Sequence, residues 1–231
     1  MAENNVQAPA SRGFSIDTRK LLTEGRALIA LAVIVVLFAF LSDNYLTTSN
    51  LIVMTRHVAY NAILAIGMLM VILHGGIDLS VGSIVGLSGV VAGAMLQGLN
   101  LSLFDVVAYP AVWVVIILSL TLGAIAGSIN GFLVTKLNVA PFIATLGMLY
   151  VARGIALIIA DGKTFPRLQG TPELGNQGFN MVGLGQIFGI PMSVWIMLVF
   201  AIIASIMLVR LPFGRWLYAI GGNTRAAELS G

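Results

Sequence analysis

The chain has 231 residues, of which 58% are hydrophobic and only 9% are charged, and its mean hydropathy is +1.00. A soluble domain carries about 25% charged residues, so this chain cannot cover a water-exposed surface, and a soluble enzyme, a nucleic-acid-binding module and a disordered regulator are excluded. Its composition contains no cysteine and only two histidines, far apart, and therefore predicts neither a disulfide nor a metal site.

Long uncharged runs predict an all-α, polytopic bundle of about six transmembrane helices. Lipid offers no partner for backbone N–H and C=O groups, and these runs lack the alternation of apolar and polar residues expected of barrel strands. The first run is followed by a poor cleavage site and is therefore interpreted as an uncleaved anchor. In chain order, the predicted spans are residues 27–42, 58–76, 81–98, 111–135, 140–160 and 192–209.

The basic residues predict a cytoplasmic amino-terminal tail, residues 1–26, and a membrane domain from residue 27 onward. If every span crosses, the bases on the cytoplasmic side outnumber those outside, which are Arg56, Lys163 and Arg167. Segment 161–191 is then external, either a solvated loop or a docking surface for an external partner. The cytoplasmic bases are Arg12, Arg19, Lys20, Arg26, Lys136, Arg210, Arg215 and Arg225.

A sequence break separates the second and third spans at Gly75-Gly76-Ile77-Asp78-Leu79-Ser80. The two glycines interrupt the helix, and Asp78 is predicted to cap the next one by accepting from the amide of Ser80 or Val81. One interpretation is a capped turn between two spans. The other is a discontinuous helix whose polar end lines a solute path, because an acid in or near a bilayer is costly and is often functional. Both can hold.

Small residues four positions apart predict close helix packing in spans three and four. In span three these residues are Gly82 with Gly86 and Gly89 with Gly93. A subunit boundary or a moving seam is the alternative. Asn130, within the span-four stripe, is predicted to hydrogen-bond to a neighbouring helix, with a solute contact as the less favoured alternative. The span-four stripe consists of Gly123, Gly127 and Gly131.

Arg153 is the charged residue inside the fifth predicted span. A central arginine costs about 2.5–3.5 kcal/mol on the insertion scale, while each Leu, Ile, Val or Phe returns about 0.3–0.6 kcal/mol. Nine such residues lie in 142–160 and offset that cost. Arg153 is predicted to extend toward the outer interface or pair with Asp161, with a polar contact in the solute path as the alternative.

The last stretch predicts a surface segment rather than a span. Gly221-Gly222 is interpreted as a turn, and Asn223 or Thr224 as the cap of a short helix over 225–229. Gly162-Lys163-Thr164 lacks the earlier glycine of a phosphate-binding loop, because Leu157 stands there. With no nucleophile motif and no suitable carboxylate pair, the sequence predicts no catalytic residue, no cofactor and no enzyme.

Four segments together resemble the permease subunits of bacterial ABC-type monosaccharide importers of the ribose/xylose type. They belong to an inner-membrane permease family that also includes branched-chain amino acid permeases. The likeness runs from about residue 45 to the end. Its segments are Gly75–Ser83, Gly127–Leu133, Pro141–Met148 followed by Arg153-Gly154, and Gly214–Gly231.

This resemblance implies a multi-pass protein of the bacterial inner membrane that forms a sugar path. It implies as partners cytoplasmic ATPase subunits, a second permease subunit in a homodimer, and an external solute-binding protein. Segment 210–231 would couple the path to the ATPase. The implied path residues are Gly75, Gly76, Asp78, Ser80, Asn130 and Arg153, and the implied coupling residues are Gly221, Gly222, Asn223, Arg225, Glu228 and Gly231.

Two features depart from the family pattern. Family members continue with further spans, so a truncated chain or a fragment is expected, and Glu228 stands where a basic residue is expected.

Two other functions stay open from the residues. One is an ion-coupled secondary transporter or channel with Asp78 and Arg153 as coupling charges. The other is a structural membrane subunit without a path.

Overall fold

The structure is a computed structural model that describes residues 25–101, 106–165, 168–170 and 174–230. The predictions for Arg12, Arg19, Lys20, Arg167 and Gly231 lie outside these residues. Two short antiparallel hairpins are present, β1 (Leu99–Leu101) with β2 (Val106–Ala108) and β3 (Gln186–Ile187) with β4 (Ile190–Pro191). The helices of the described residues are α1 (Arg26–Leu41), α2 (Thr48–Leu73), α3 (Val81–Gln97), α4 (Val112–Lys136), α5 (Pro141–Ala160), α6 (Phe179–Gly183), α7 (Met192–Val209), α8 (Pro212–Gly222) and α9 (Thr224–Leu229).

Each of the six predicted spans coincides with an apolar helix, which confirms the all-α fold class. Within the described residues, α2, α4, α5 and α7 are long and apolar enough to cross a membrane, while α1 and α3 have 16 and 17 residues. Their outward faces carry large apolar side chains, such as Phe40 at 89% exposed and Ile158 at 80%. Such a surface suits lipid and would be unfavourable in water.

The second predicted span, 58–76, was placed wrongly at both ends. Helix α2 begins ten residues earlier, at Thr48, and ends three residues earlier, at Leu73. The early start places Arg56 inside a helix, where its Nη2 donates to the carbonyl oxygen of Leu184 at 2.7 Å. Because the guanidinium of Arg56 is hydrogen-bonded in this way, its charge is accommodated within the helix and does not mark the start of the span. The early end follows from the two glycines at 75 and 76.

The described residues form two compact units, which divide between residues 51 and 52. In the first unit, α1 is followed by a turn in which the ring of Tyr45 stacks on that of Phe38, with centroids 5.7 Å apart. Thr47 then accepts a hydrogen bond from the amide of Asn50 at the start of α2. The first unit is therefore an apolar helix joined by a capped turn to the first residues of α2.

In the second unit, α3 packs against both α4 and α5, and the buried core lies toward the carboxyl end of α3. Part of segment 161–191 packs on this core, since Leu168 and Phe179 lie against it and the buried Asn176 donates to the carbonyl oxygen of Leu96 at 3.1 Å. Other described residues of the segment are exposed, such as Phe188 at 93%, so both interpretations of the segment, a solvated loop and an external docking surface, stay open. The core residues are Ala92, Met95, Leu96 and Val115.

The glycine stripes serve close packing only in part. A Cβ at Gly123 would lie 3.8 Å from Ile84, and one at Gly93 only 2.9 Å from Phe165, so these two glycines do admit close neighbours. For the other five, close packing within the described residues is not observed, because a Cβ there would meet no atom of them within 4 Å apart from its own helix. Those five are Gly82, Gly86, Gly89, Gly127 and Gly131.

Candidate functional site

The break between α2 and α3 begins with a helix stop built on Gly75 and Gly76. The amide of Gly75 donates to Ile72 O at 2.9 Å, and that of Gly76 donates to Val71 O at 3.0 Å. This is the paired closure of a Schellman motif, which requires a left-handed residue after the helix. Gly75 provides it with φ of +89°. The glycines therefore end α2, and their amides bond the carbonyl oxygens of Val71 and Ile72 in its last turn.

Asp78 and Ser80 then start α3 together. Asp78 Oδ1 accepts from the amide of Ser80 at 2.7 Å and from its hydroxyl at 2.6 Å. The predicted bond from the Ser80 amide is confirmed, but the capping position itself is held by Ser80 rather than Asp78. Ser80 is fully buried, and its hydroxyl is committed to the carboxylate instead of to an amide of α3. Asp78 thus fixes the residue from which α3 begins.

Asn130 extends this cluster to α4. Its Nδ2 donates to Ser80 Oγ at 3.0 Å, which confirms the predicted bond to a neighbouring helix. The side chain is only 5% exposed, and its Oδ1 accepts from no donor among the described residues. An unmet acceptor at a buried site is costly, so this amide is the least satisfied member of the cluster.

Thr145 adds α5 to the same cluster, and sequence reasoning did not select it. Its hydroxyl lies 2.8 Å from Pro141 O and 3.3 Å from Ile77 O, and the side chain is only 4% exposed. The available signal was a hydroxyl in an apolar first turn next to Pro141. One stretch, residues 77–80, therefore receives side-chain contacts from both α4 and α5.

Helix α8 reaches the other end of the break through Gly221. The predicted turn at Gly221-Gly222 is wrong, because both glycines are the last residues of α8. A Cβ at Gly221 would overlap the carbonyl oxygen of Leu73, whereas a Cβ at Gly222 would meet nothing within 4 Å. Gly221 is therefore needed for close approach of α8 to the end of α2, which a turn prediction could not reveal.

Helix α9 follows directly and is exposed. Asn223 Oδ1 accepts from the amide of Ala226 at 3.0 Å, so the predicted cap is confirmed, with the helix starting at Thr224 rather than Arg225. A cleft of about 940 Å³ is lined by residues of α8 and α9 and by residues at the ends of α2 and α4. Polar and aromatic side chains line it, including His74, Thr135, Asn138, Trp216, Asn223 and Glu228.

Arg153 lies apart from both sets of residues. Its predicted pairing with Asp161 is wrong, because Asp161 pairs with Lys163 at 2.9 Å and both side chains are exposed. Arg153 instead lines a groove of about 430 Å³ between α3 and α5, together with Ser83 and Gly86. Within the described residues, no group of three His, Cys, Asp or Glu side chains could hold a metal ion.

Comparisons with known proteins agree on one class. The permease component family of branched-chain amino acid transport systems matches residues 49–231. The chain is 39% identical to the ribose import permease protein RbsC of Escherichia coli (strain K12) over 93% of this chain and 63% of that protein.

Two further relatives give the same picture. RbsC of Bacillus subtilis (strain 168) is 42% identical over 88% of this chain and 58% of its own, and the L-arabinose transport system permease AraH of E. coli (strain K12) is 31% identical over 88% and 57%. The chain thus spans about six-tenths of the length of the curated relatives it matches. No solved structure gives a significant match.

Proposed function

We propose, from the premise that this chain belongs to the permease component family of branched-chain amino acid transport systems, that it forms part of the membrane path of an ATP-driven monosaccharide importer. The family is one of transport permeases and not of enzymes. The observation that carries the proposal is the 39% identity with a ribose import permease over 93% of the chain. Ribose and L-arabinose are pentoses, and a neutral pentose or hexose is the proposed substrate class.

The path is proposed to involve Arg153 and the residues that form the break between α2 and α3 or bond to it. These residues, called the break cluster, are Gly75, Gly76, Asp78, Ser80 and Asn130. Gly75 and Gly76 end α2, and the bonded residues Asp78, Ser80 and Asn130 hold the inner ends of α3 and α4 in place. A buried polar joint within apolar helices is the arrangement from which transporters build discontinuous helices beside a solute. Arg153 is proposed to serve farther along the path.

The coupling segment is proposed to be α8 with α9. Gly221 supports this through its contact with Leu73, while Asn223 caps a helix whose Arg225 and Glu228 are exposed. Exposed charges at the tip leave that helix available to a partner. Gly222, beside Gly221, has free space around it, and Gly231 is included on the resemblance alone.

Orientation and partners follow from the same proposal. The amino terminus and α9 are placed on the cytoplasmic side of the bacterial inner membrane, in agreement with the positive-inside distribution of bases. ATPase subunits bind there, a second permease subunit completes the path, and an external solute-binding protein delivers the sugar near segment 161–191. The chain itself is proposed to bind no nucleotide, metal or nucleic acid.

Energy source is the decisive test. Membrane vesicles from cells that produce the protein with its ATPase and binding protein are loaded with ATP and given labelled ribose, L-arabinose or fructose. We expect uptake to require internal ATP hydrolysis and to persist when a protonophore abolishes the proton gradient. Vesicles lacking the ATPase subunit are the control and should show background uptake only.

The rival is an ion-coupled transporter that uses Asp78 and Arg153 as coupling charges. It predicts the opposite dependence, with uptake that follows a proton or sodium gradient and ignores ATP. Two observations support the ATP-driven proposal: Asp78 already accepts from two donors of Ser80, and it does not line the groove that holds Arg153. Gradient-driven uptake in vesicles without ATP would end the proposal.

A further inference from the structure

We infer that the groove between α3 and α5 is the place where the sugar touches this chain, with Arg153 and Ser83 as hydrogen-bond donors. This inference rests on the proposed function. The groove has a volume of about 430 Å³, and its floor on α3 includes Gly82 and Gly86. It begins beside the break, at Leu79, and shares no lining residue with the cleft beside α9.

The charge of Arg153 supports a watery rather than a lipid setting. The residue lies seven positions before the end of α5 at Ala160, which is about 10 Å along a helix. Arginines at such depth pair with an acid or face a water-filled cavity, because lipid solvates them poorly. Asp161, the acid nearest to Arg153 in sequence, pairs with Lys163 instead, and Asp78, the acid at the break, accepts from Ser80.

The donors of the groove are available. Among the described residues, neither the guanidinium of Arg153 nor the hydroxyl of Ser83 takes part in a hydrogen bond or an ion pair. A guanidinium has five N–H donors in a fixed plane and no acceptor, so it suits the adjacent hydroxyl oxygens of a sugar. A neutral sugar held by few such bonds can also leave, which a path requires.

The shape of the groove suits a flat, partly apolar ring. Gly82 and Gly86 leave the backbone of α3 uncovered, and a Cβ at either would meet no atom within 4 Å. Leu149 and Leu157 on α5 provide apolar walls. The C–H faces of a sugar can pack on such walls while its hydroxyls reach the donors. Glycine here provides room for a ligand rather than for a neighbouring helix.

Gly86→Val tests the groove, and Gly89→Val is its matched control. Both glycines lie on α3 with open space around the missing Cβ, so both variants carry the same helix cost, but only Gly86 lines the groove. The assay is ATP-driven uptake of whichever sugar the wild-type vesicles import among ribose, L-arabinose and fructose. We expect Gly86→Val to lower uptake at low sugar concentration by about tenfold or more and Gly89→Val by about twofold or less.

Two further variants add signatures that a structural role would not produce. Gly86→Ala should reduce transport of the six-carbon sugar fructose more than that of ribose, because one methyl group narrows the groove. Arg153→Gln should raise the half-saturation concentration for the sugar by about tenfold. Arg153→Lys keeps the charge but loses the planar, forked guanidinium, so its half-saturation concentration should lie between those of the wild type and Arg153→Gln.

The outcomes separate the inference from the function on which it rests. Wild-type vesicles without ATP-driven sugar uptake contradict the proposed function itself. If the wild type transports sugar but Gly86→Val and Gly89→Val behave alike, the groove is not the sugar contact. The inference is also overturned if Gly86→Val acts by dissociating the purified complex, which would make the groove a subunit contact. Unchanged half-saturation in Arg153→Gln would assign the groove to lipid.

Discussion

Replacement of Gly221 by alanine tests the contact between α8 and the end of α2. The added methyl group would overlap the carbonyl oxygen of Leu73, a backbone atom that cannot rotate away as a flexible side chain could. The same change at Gly222 adds a methyl group into open space. The two variants share composition, helix and solvent exposure, and they differ only in what the methyl group meets.

The magnitude follows from two opposing terms. Alanine is favoured over glycine within a helix by about 0.5–1 kcal/mol, a gain that both variants share in part. Overpacking against a fixed neighbour costs about 1–3 kcal/mol, and only Gly221→Ala incurs it. We therefore expect Gly221→Ala to be less stable than Gly222→Ala by about 1–3 kcal/mol, or roughly 2–12 °C in melting temperature for a chain of this size.

Two assays read this contact. Thermal unfolding of the purified protein in detergent gives the difference in melting temperature. Because the chain has no cysteine, a single His74→Cys background lets a thiol reagent report access to the break. We expect faster labelling with Gly221→Ala than with Gly222→Ala. Equal melting temperatures together with equal labelling rates would show that α8 does not rest on Leu73.

Three other substitutions address the remaining sites. Ser80→Ala removes the acceptor of the buried Asn130 amide and should destabilise the protein by about 1–3 kcal/mol. The control is Ser128→Ala, because the exposed hydroxyl of Ser128 bonds only within its own helix, and it should change stability by about 0.5 kcal/mol or less. Thermal unfolding measures both changes. Asp78→Ala should lower sugar uptake, because Ser80 loses the carboxylate that fixes it, and normal uptake at normal expression would argue against a path role. Glu228→Arg should change the amount of ATPase that co-purifies, and identical co-purification would contradict a contact there.

The sequence predicted the helices well because lipid imposes one simple rule. A span needs a long apolar run with its backbone bonded internally, and all six predicted spans are helices within a few residues of the expected bounds, apart from the start of α2. The start of α2 is mispredicted because the charge of Arg56 marks the beginning of the uncharged run from which the second span is predicted. The partner of Arg56, the carbonyl of Leu184, lies far along the chain, and no local pattern reveals it.

The site was predictable where its contacts are local or its polarity is conspicuous. The bond from the Ser80 amide to Asp78 spans two residues, and a buried asparagine in a span must find a partner, so both expectations were confirmed. Gly221 and Arg153 depend on distant neighbours instead. A pair of adjacent glycines is compatible in sequence with either a turn or a close helix contact. Only the position of Leu73 in the fold distinguishes these two roles.

The stretch from Leu73 to Ser80 links the two ends of the proposed machinery. At one end, Leu73 meets α8 through Gly221, and at the other, Ser80 holds Asn130 of α4 by a buried bond. Between them, the backbone of Gly75 has φ of +89° and bonds back to α2, and a Cβ there would meet no described atom within 4 Å, so no side chain packs on this residue. Hinges form at a few such residues that absorb a change of backbone angle. A displacement of α8 is therefore expected to bend the chain at Gly75, and the buried bonds to α4 then determine how much of it reaches α3.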